Sequence, residues 1–314
     1  MDALVGYTGF VGSNLAAQHG FDALYNSKNI EDSFGTLPDI LVYSGVPAQK
    51  FVANQNPEAD LKVVSGAIDN IKKIKPETLV LISTIDVYKT PFGVDEGTVM
   101  ETQGLHPYGF NRLVLENWVR ENSHRFKRSL IVRLPGLFGE NLKKNFVYDL
   151  IHIIPSMLNQ KKYDELAGQS AMIKENYALQ ANGFFACTAD EETRRELKAE
   201  FSRLGFTALN FTDSRARFQM YGLNHLWADI QTALNAKLKM VNLATEPMTA
   251  AEIYGAVSAT PFVNELNAPV PNYDFKTRFA DVFGGHEGYI SDKASVLAEI
   301  KAYIENELRS GESD

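Results

Sequence analysis

The chain has 314 residues, 45% of them hydrophobic, a formal charge of −8 and one cysteine. That length and apolar content suffice for one large or two smaller globular lobes. The negative charge leaves no basic stripe for nucleic acid, and Cys187 cannot form an internal disulfide. With no leader-like n-region and no apolar run of membrane length, the sequence reads as cytoplasmic, with neither a membrane nor a nucleic-acid partner.

Taken from the start, an apolar strand at Ala3 to Gly6 runs into Gly6-Tyr7-Thr8-Gly9-Phe10-Val11-Gly12 and then a helical stretch to His19. A tight strand-to-helix turn needs a residue free to take positive φ. Close approach of a pyrophosphate leaves no room for a side chain, and the helix N-terminus offers unpaired N–H groups. Three spaced glycines arise by chance in roughly one chain in ten of this size. Their place after a strand and before a helix is what makes them a dinucleotide-binding signal.

Short strands follow at Ala23 to Tyr25, Ile40 to Ser44, Leu79 to Ser83 and Ser129 to Leu134, with helices at Pro57 to Lys73 and Tyr108 to Ser123 between them. Alternating strands and helices predict an α/β fold, a doubly wound parallel sheet of Rossmann type whose ligands gather at the strands' carboxyl ends. After Gly139 the pattern changes. Phe146 to Leu158 reads as helix, Gly183 to Thr188 as a strand holding Cys187, Asp190 to Leu204 as a helix and Phe206 to Phe211 as another strand. A helix over Asn224 to Leu234, a strand at Met240 to Leu243 and helices starting near Thr249 and Asp292 follow, and Ser310 to Asp314 reads as a frayed end. The expected division is a dinucleotide-binding core over 1–145, a substrate-lobe insertion over 146–216, a return to the core over 217–248, and a smaller C-terminal α/β substrate lobe with its helices over 249–314.

Thr84 closes the fourth strand, in Ser83-Thr84-Ile85-Asp86-Val87-Tyr88, and Tyr108 opens a helix with Arg112 one turn beyond it. A phenol near its free pKa of about 10 is a poor base at neutral pH, so a fixed cation beside it is needed to make it one. Arg112 is placed to supply that charge. By themselves, a Tyr and an Arg at this spacing are ordinary surface neighbours. The six histidines lack ligand-like spacing, no metal site is expected, and His106 has no role that the sequence assigns.

These residues resemble the extended short-chain dehydrogenase/reductases of the NAD-dependent epimerase/dehydratase type, which act on nucleotide sugars. Gly6, Gly9 and Gly12 resemble that family's GxxGxxG, the Ser83–Tyr88 segment its S-[ST]-x-x-V-Y strand end, Tyr108 its YxxxK tyrosine, and Arg133 to Gly139 its R-x-x-x-x-[YF]-G segment. The resemblance implies catalysis by Thr84, Tyr108 and Arg112. It implies a cofactor held by Gly6, Thr8, Gly9, Phe10, Val11, Gly12, Asn26, Ser27, Lys28, Ser44, Gly45, Val46, Ser83, Tyr108, Arg112 and Pro135. The substrate, a nucleotide sugar, would be contacted by Asp86, Asn145 and Arg217. Pairing of two chains through the Tyr108 helix is left open.

Three departures from the family pattern matter. Arg112 stands where YxxxK has lysine, and guanidinium is larger, planar and unable to relay a proton. Ser27 stands where members preferring NAD carry an acid at the end of the second strand, so NADP is expected, with NAD the alternative. Ile85 and Asp86 replace the Asp-Glu pair of the dehydratases, which argues against dehydration. The short segment after the second strand resembles the dTDP-4-dehydrorhamnose reductase branch. A keto-sugar reductase is therefore the expected activity. The alternatives are an epimerase that recycles its cofactor and, because of Arg112, a dinucleotide-binding sensor without activity.

Overall fold

The computed structural model describes residues 1–180 and 182–311. They divide into two compact units, the first built from 1–141, 217–248 and 271–299, the second from 142–216, 249–270 and the described residues from 300 on.

The first unit is organised by six parallel strands. In chain order they are β1 (Asp2–Val5), β2 (Ala23–Tyr25), β3 (Ile40–Tyr43), β4 (Thr78–Thr84), β5 (Arg128–Leu134) and β6 (Met240–Asn242), and in the sheet they stand as β6-β5-β4-β3-β1-β2. Strict side-chain alternation fills both faces. Leu4, Val42, Val80, Leu130 and Val132 point to one side, where Leu15 of α1 (Phe10–Gln18) and Leu226, Ile230 and Ala233 of the helix Leu226–Asn235 close over them. Ala3, Val5, Leu41, Leu79, Leu81 and Ile131 point to the other. They meet α3 (Pro57–Ile74), which follows the short α2 (Lys50–Gln55), through Val64, Ala67, Ile71 and Ile74, and α4 (Pro107–Glu121) through Leu115 and Val119. A strand buried on both faces needs apolar residues at successive positions, which is why these segments lack polar alternation.

The chain order reverses between β1 and β3, so the carboxyl ends of these neighbours diverge into a crevice where a ligand can enter. Beneath the sheet's C-terminal end, Arg133 and Glu116 form an ion pair with both side chains fully buried. Arg133 also donates to Tyr88 Oη at 2.7 Å, and Ser83 Oγ donates to Glu116 at 2.6 Å.

Segment 271–299, expected in the substrate lobe, belongs instead to the first unit. Phe275 is fully buried beside Ile85, Val87 and Leu113, and its N–H and C=O both bond the Gln219 side chain.

The second unit contains a three-stranded antiparallel sheet, Met157–Leu158, Phe185–Cys187 and Tyr177–Leu179, packed on the helix Glu191–Arg203 through Leu197 and Phe201. The helix is N-capped by Asp190, whose side chain accepts from Thr193 N–H. Cys187 is half-buried in its strand. Two expectations fail here. Phe206 to Phe211 is not a strand but ends in a 3₁₀ turn, Ala208–Phe211, because Thr207 and Asn210 form a capping box that satisfies the first N–H groups locally. The expected helix over Phe146 to Leu158 stops at His152, where Ile153 adopts φ +41 and Pro155 follows, leaving Met157–Leu158 as a strand. Of the expected frayed end, Ser310 is still helical and 312–314 lie outside the described residues.

Candidate functional site

β1 feeds directly into the glycine turn. Gly6 has φ +93, and a Cβ there would lie 2.6 Å from Ser44 O; a Cβ on Gly12 would lie 2.1 Å from Gly6 O. Both clashes are with backbone, which cannot swing aside. The turn therefore leaves its outer face bare, with the first turn of α1 opening on it after Gly9. This is the cradle a pyrophosphate requires: backbone without side chains, and helix N–H groups aimed outward.

The turn floors a cavity of about 700 Å³, within the usual range for small-molecule sites. Gly6, Thr8, Gly9, Phe10 and Val11 line it, joined by Asn26 and Ser27 after β2, Ser44, Gly45 and Val46 after β3, Ser83, Thr84 and Asp86 at the end of β4, Tyr108 and Arg112 on α4, and Pro135 after β5. Four expected site residues lie elsewhere. Gly12 is buried under the turn and serves its packing. Lys28 is exposed outside the cavity, its N–H bonded to Asn26 Oδ1 at 2.8 Å. Arg217, in the first unit, joins the segment 271–299 through its N–H to Pro271 O and its C=O to Tyr273 N–H. Asn145, in the second unit, caps the helix Phe146–His152 by accepting from Tyr148 N–H at 3.1 Å.

Tyr108 reaches Thr84 because α4 sits directly on the 3₁₀ turn that follows β4. A Cβ on Gly109 would lie 2.0 Å from Asp86 O, so only glycine allows that approach. His106 caps the helix, its Nδ1 accepting from Gly109 N–H at 3.0 Å, which places the remaining ring proton on Nε2, 3.9 Å from Asp86 Oδ1. Burial and the nearby Lys50 ammonium hold His106 below its usual pKa. Thr84 Oγ1 accepts from Asp86 N–H at 3.1 Å.

Arg112 differs from its expected role. One terminal nitrogen donates to Asp60 and the other to Pro47 O, while the guanidinium stacks on the Tyr108 ring, 4.1 Å from its centroid. Asp60 also accepts from Asn111 at 2.8 Å. Burial pushes the Tyr108 phenol above its ordinary value. Arg112 and a hydrogen bond to Thr84 pull the other way without prevailing, and the Asp86 and Asp60 carboxylates add to the rise. The expected depression of the phenol by Arg112 is thus outweighed, because burial of the phenol disfavours its anion more than the nearby guanidinium favours it.

No family model and no curated protein matches the chain. Among solved structures, a UDP-galactose 4-epimerase superposes with a TM-score of 0.63 at 13% identity, covering 98% of this chain and 100% of the other. A dTDP-4-dehydrorhamnose reductase from Yersinia enterocolitica gives 0.62 at 12% identity, over 96% and 99%. A short-chain dehydrogenase/reductase superfamily protein from Agrobacterium tumefaciens with bound NAD gives 0.59 at 14%, over the full length of both. The chain has the short-chain dehydrogenase/reductase fold.

The cavity opens at the strands' carboxyl ends, and its charged lining consists of Lys50, Arg112 and Asp86. The sequence singles out neither Lys50 nor Asp60 nor Glu116. Each takes its meaning from a partner 17 to 52 positions away, Lys50 bonding Asp86 at 2.8 Å, Asp60 bonding Arg112 and Glu116 bonding Arg133. His106 carries one local signal, its place before Pro107 at a helix start.

Proposed function

We propose that this chain is an NAD(P)-dependent reductase of a carbonyl on a nucleotide-linked sugar, with NADP the preferred dinucleotide. One observation carries the reading: a buried phenol, Tyr108, held by that burial above its ordinary pKa, beside the hydroxyl of Thr84 at the end of a cavity floored by the glycine turn. A bound nicotinamide dinucleotide would supply the hydride. The chain's own work is then to place the substrate oxygen against two hydroxyls and deliver a proton to it. Thr84 hydrogen-bonds that oxygen, and Tyr108 Oη gives up its proton as negative charge develops there. Arg112 fixes the ring that carries the phenol. A phenol held neutral in the resting site suits donation to a carbonyl better than abstraction from an alcohol, which favours reduction. The dehydrorhamnose reductase among the structural neighbours supports the same substrate class.

Support for NADP comes from the adenosine end. Asn26 and Ser27 line it, no carboxylate does, and a 2′-phosphate meets no like charge there. Asp86, which lines the cavity beside Thr84, is proposed to contact the nucleotide sugar. Pairing of two copies through α3 and α4, where Leu61 and Phe110 stand exposed, belongs to the same proposal. Sedimentation equilibrium at the mass of one chain would refute that part.

The test is to titrate the protein with NADPH and NADH, then follow nicotinamide absorbance with a panel of nucleotide-linked keto sugars. Tyr108→Phe is expected to abolish turnover, by 10²-fold or more in roughly the range of lost general acids, with dinucleotide affinity kept. Turnover surviving in that variant removes the assigned acid. Dinucleotide binding with no turnover on any sugar would favour the sensor, to which the Arg112–Asp60 pair gives independent support.

A further inference from the structure

A nicotinamide dinucleotide brings at least two negative charges into the cavity, and the cations lining it are Arg112 and Lys50. Arg112 is not available to them. Its terminal nitrogens are engaged by Asp60 and Pro47 O, its plane is stacked on Tyr108, and its side chain is only 6% exposed. Lys50 differs on each count. It enters from α2 on a flexible stem, its side chain is 41% exposed, and its single partner in the cavity is Asp86, two positions beyond Thr84. That partner is not stranded if the ammonium leaves, because His106 Nε2 faces the same oxygen, Asp86 Oδ1, at 3.9 Å. An ammonium on four methylenes can turn between two acceptors, whereas a stacked guanidinium held by two separate acceptors cannot.

We propose that Lys50 is the working lysine of this site, turning from Asp86 to the nicotinamide-side ribose and phosphate of the bound dinucleotide, while Arg112 serves only to position Tyr108. The free ammonium that the Tyr108 helix lacks is thus supplied by a different helix. The exchange also frees Asp86 for the sugar, so dinucleotide binding prepares the substrate end of the cavity. This rests on the dinucleotide reading of the cavity.

Two substitutions at the ends of the Lys50–Asp86 pair separate this role from a structural salt bridge, since a structural pair loses the same bond from either end. NADPH affinity is read by nicotinamide fluorescence at several salt concentrations, with the thermal midpoint of the ligand-free protein as a check on folding. Lys50→Met is expected to weaken NADPH about tenfold, the usual size of a lost charge-assisted hydrogen bond, and to flatten the salt dependence. Lys50→Arg, which keeps the charge, is expected to restore most of the affinity. Asp86→Asn, which removes the competitor for the ammonium, is expected to bind NADPH at least as tightly as the unaltered chain. The proposal is overturned if Lys50→Met costs less than about threefold, well under that size, or if Lys50→Met and Asp86→Asn weaken binding alike. Failure of the unaltered protein to bind NADPH or NADH is a different result: it removes the dinucleotide reading itself, and Lys50's role with it.

Discussion

Glu116→Ala gives the sharpest test of what holds the site's floor in place. Arg133 is fully buried, and Glu116 accepts from its Nε at 3.0 Å and from its second terminal nitrogen at 2.6 Å. Glu116 also accepts from Ser83 Oγ, on the strand that ends in Thr84. Truncating it leaves a guanidinium with Tyr88 Oη as its remaining partner at 2.7 Å and no route to water. Removing one member of such a pair costs about 3–5 kcal/mol, because the remaining charge is buried without compensation. Replacing both members by apolar residues of similar size, Glu116→Leu with Arg133→Met, removes the charge along with its partner and is expected to cost far less. Both tryptophans, Trp118 and Trp227, lie in the first unit, so urea unfolding followed by tryptophan fluorescence reports on the unit that holds the pair. A loss under about 1 kcal/mol for Glu116→Ala, or a double variant as unstable as the single, would refute the argument.

Two further outcomes are expected. Gly12→Ala drives a Cβ to 2.1 Å from Gly6 O and should cost about 1–3 kcal/mol and at least about tenfold in NADPH affinity, while Gly20→Ala, whose Cβ meets nothing within 4 Å, should change neither; equal behaviour of the two in titration and unfolding would contradict it. Burial raises the Asp149 carboxyl to about 7, so the folded chain binds that proton more tightly than the unfolded one and loses stability as pH climbs from about 4 to about 7, staying low above that. Asp149→Asn should therefore stabilise the protein by at least about 1 kcal/mol at about pH 8 and much less at about pH 4. Scanning calorimetry that finds the same gain at both would count against the burial argument.

Elements whose cause is local could be read from the chain before any contact was known. β1, the positive φ at Gly6, the bare turn and α1 follow from residues within a few positions of each other, as do the helix starts near Asp190 and Thr249. The order of strands and helices was legible for the same reason, since a strand buried on both faces and a helix with one apolar stripe announce themselves by spacing. Even there, a local contest could be misjudged, as at Phe206 to Phe211, where a capping box outweighed a strand-like run. Which charge meets which emerged from the folded arrangement alone. Arg112 is one turn from Tyr108 in sequence, yet its electrostatic character is set by Asp60 and Pro47, 52 and 65 positions away. The Lys50–Asp86 pair and the buried Glu116–Arg133 pair have the same origin. A backbone angle depends on near neighbours, whereas a charge's partner and dielectric depend on whatever the fold brings within a few ångströms, and that is written in no single stretch of the chain.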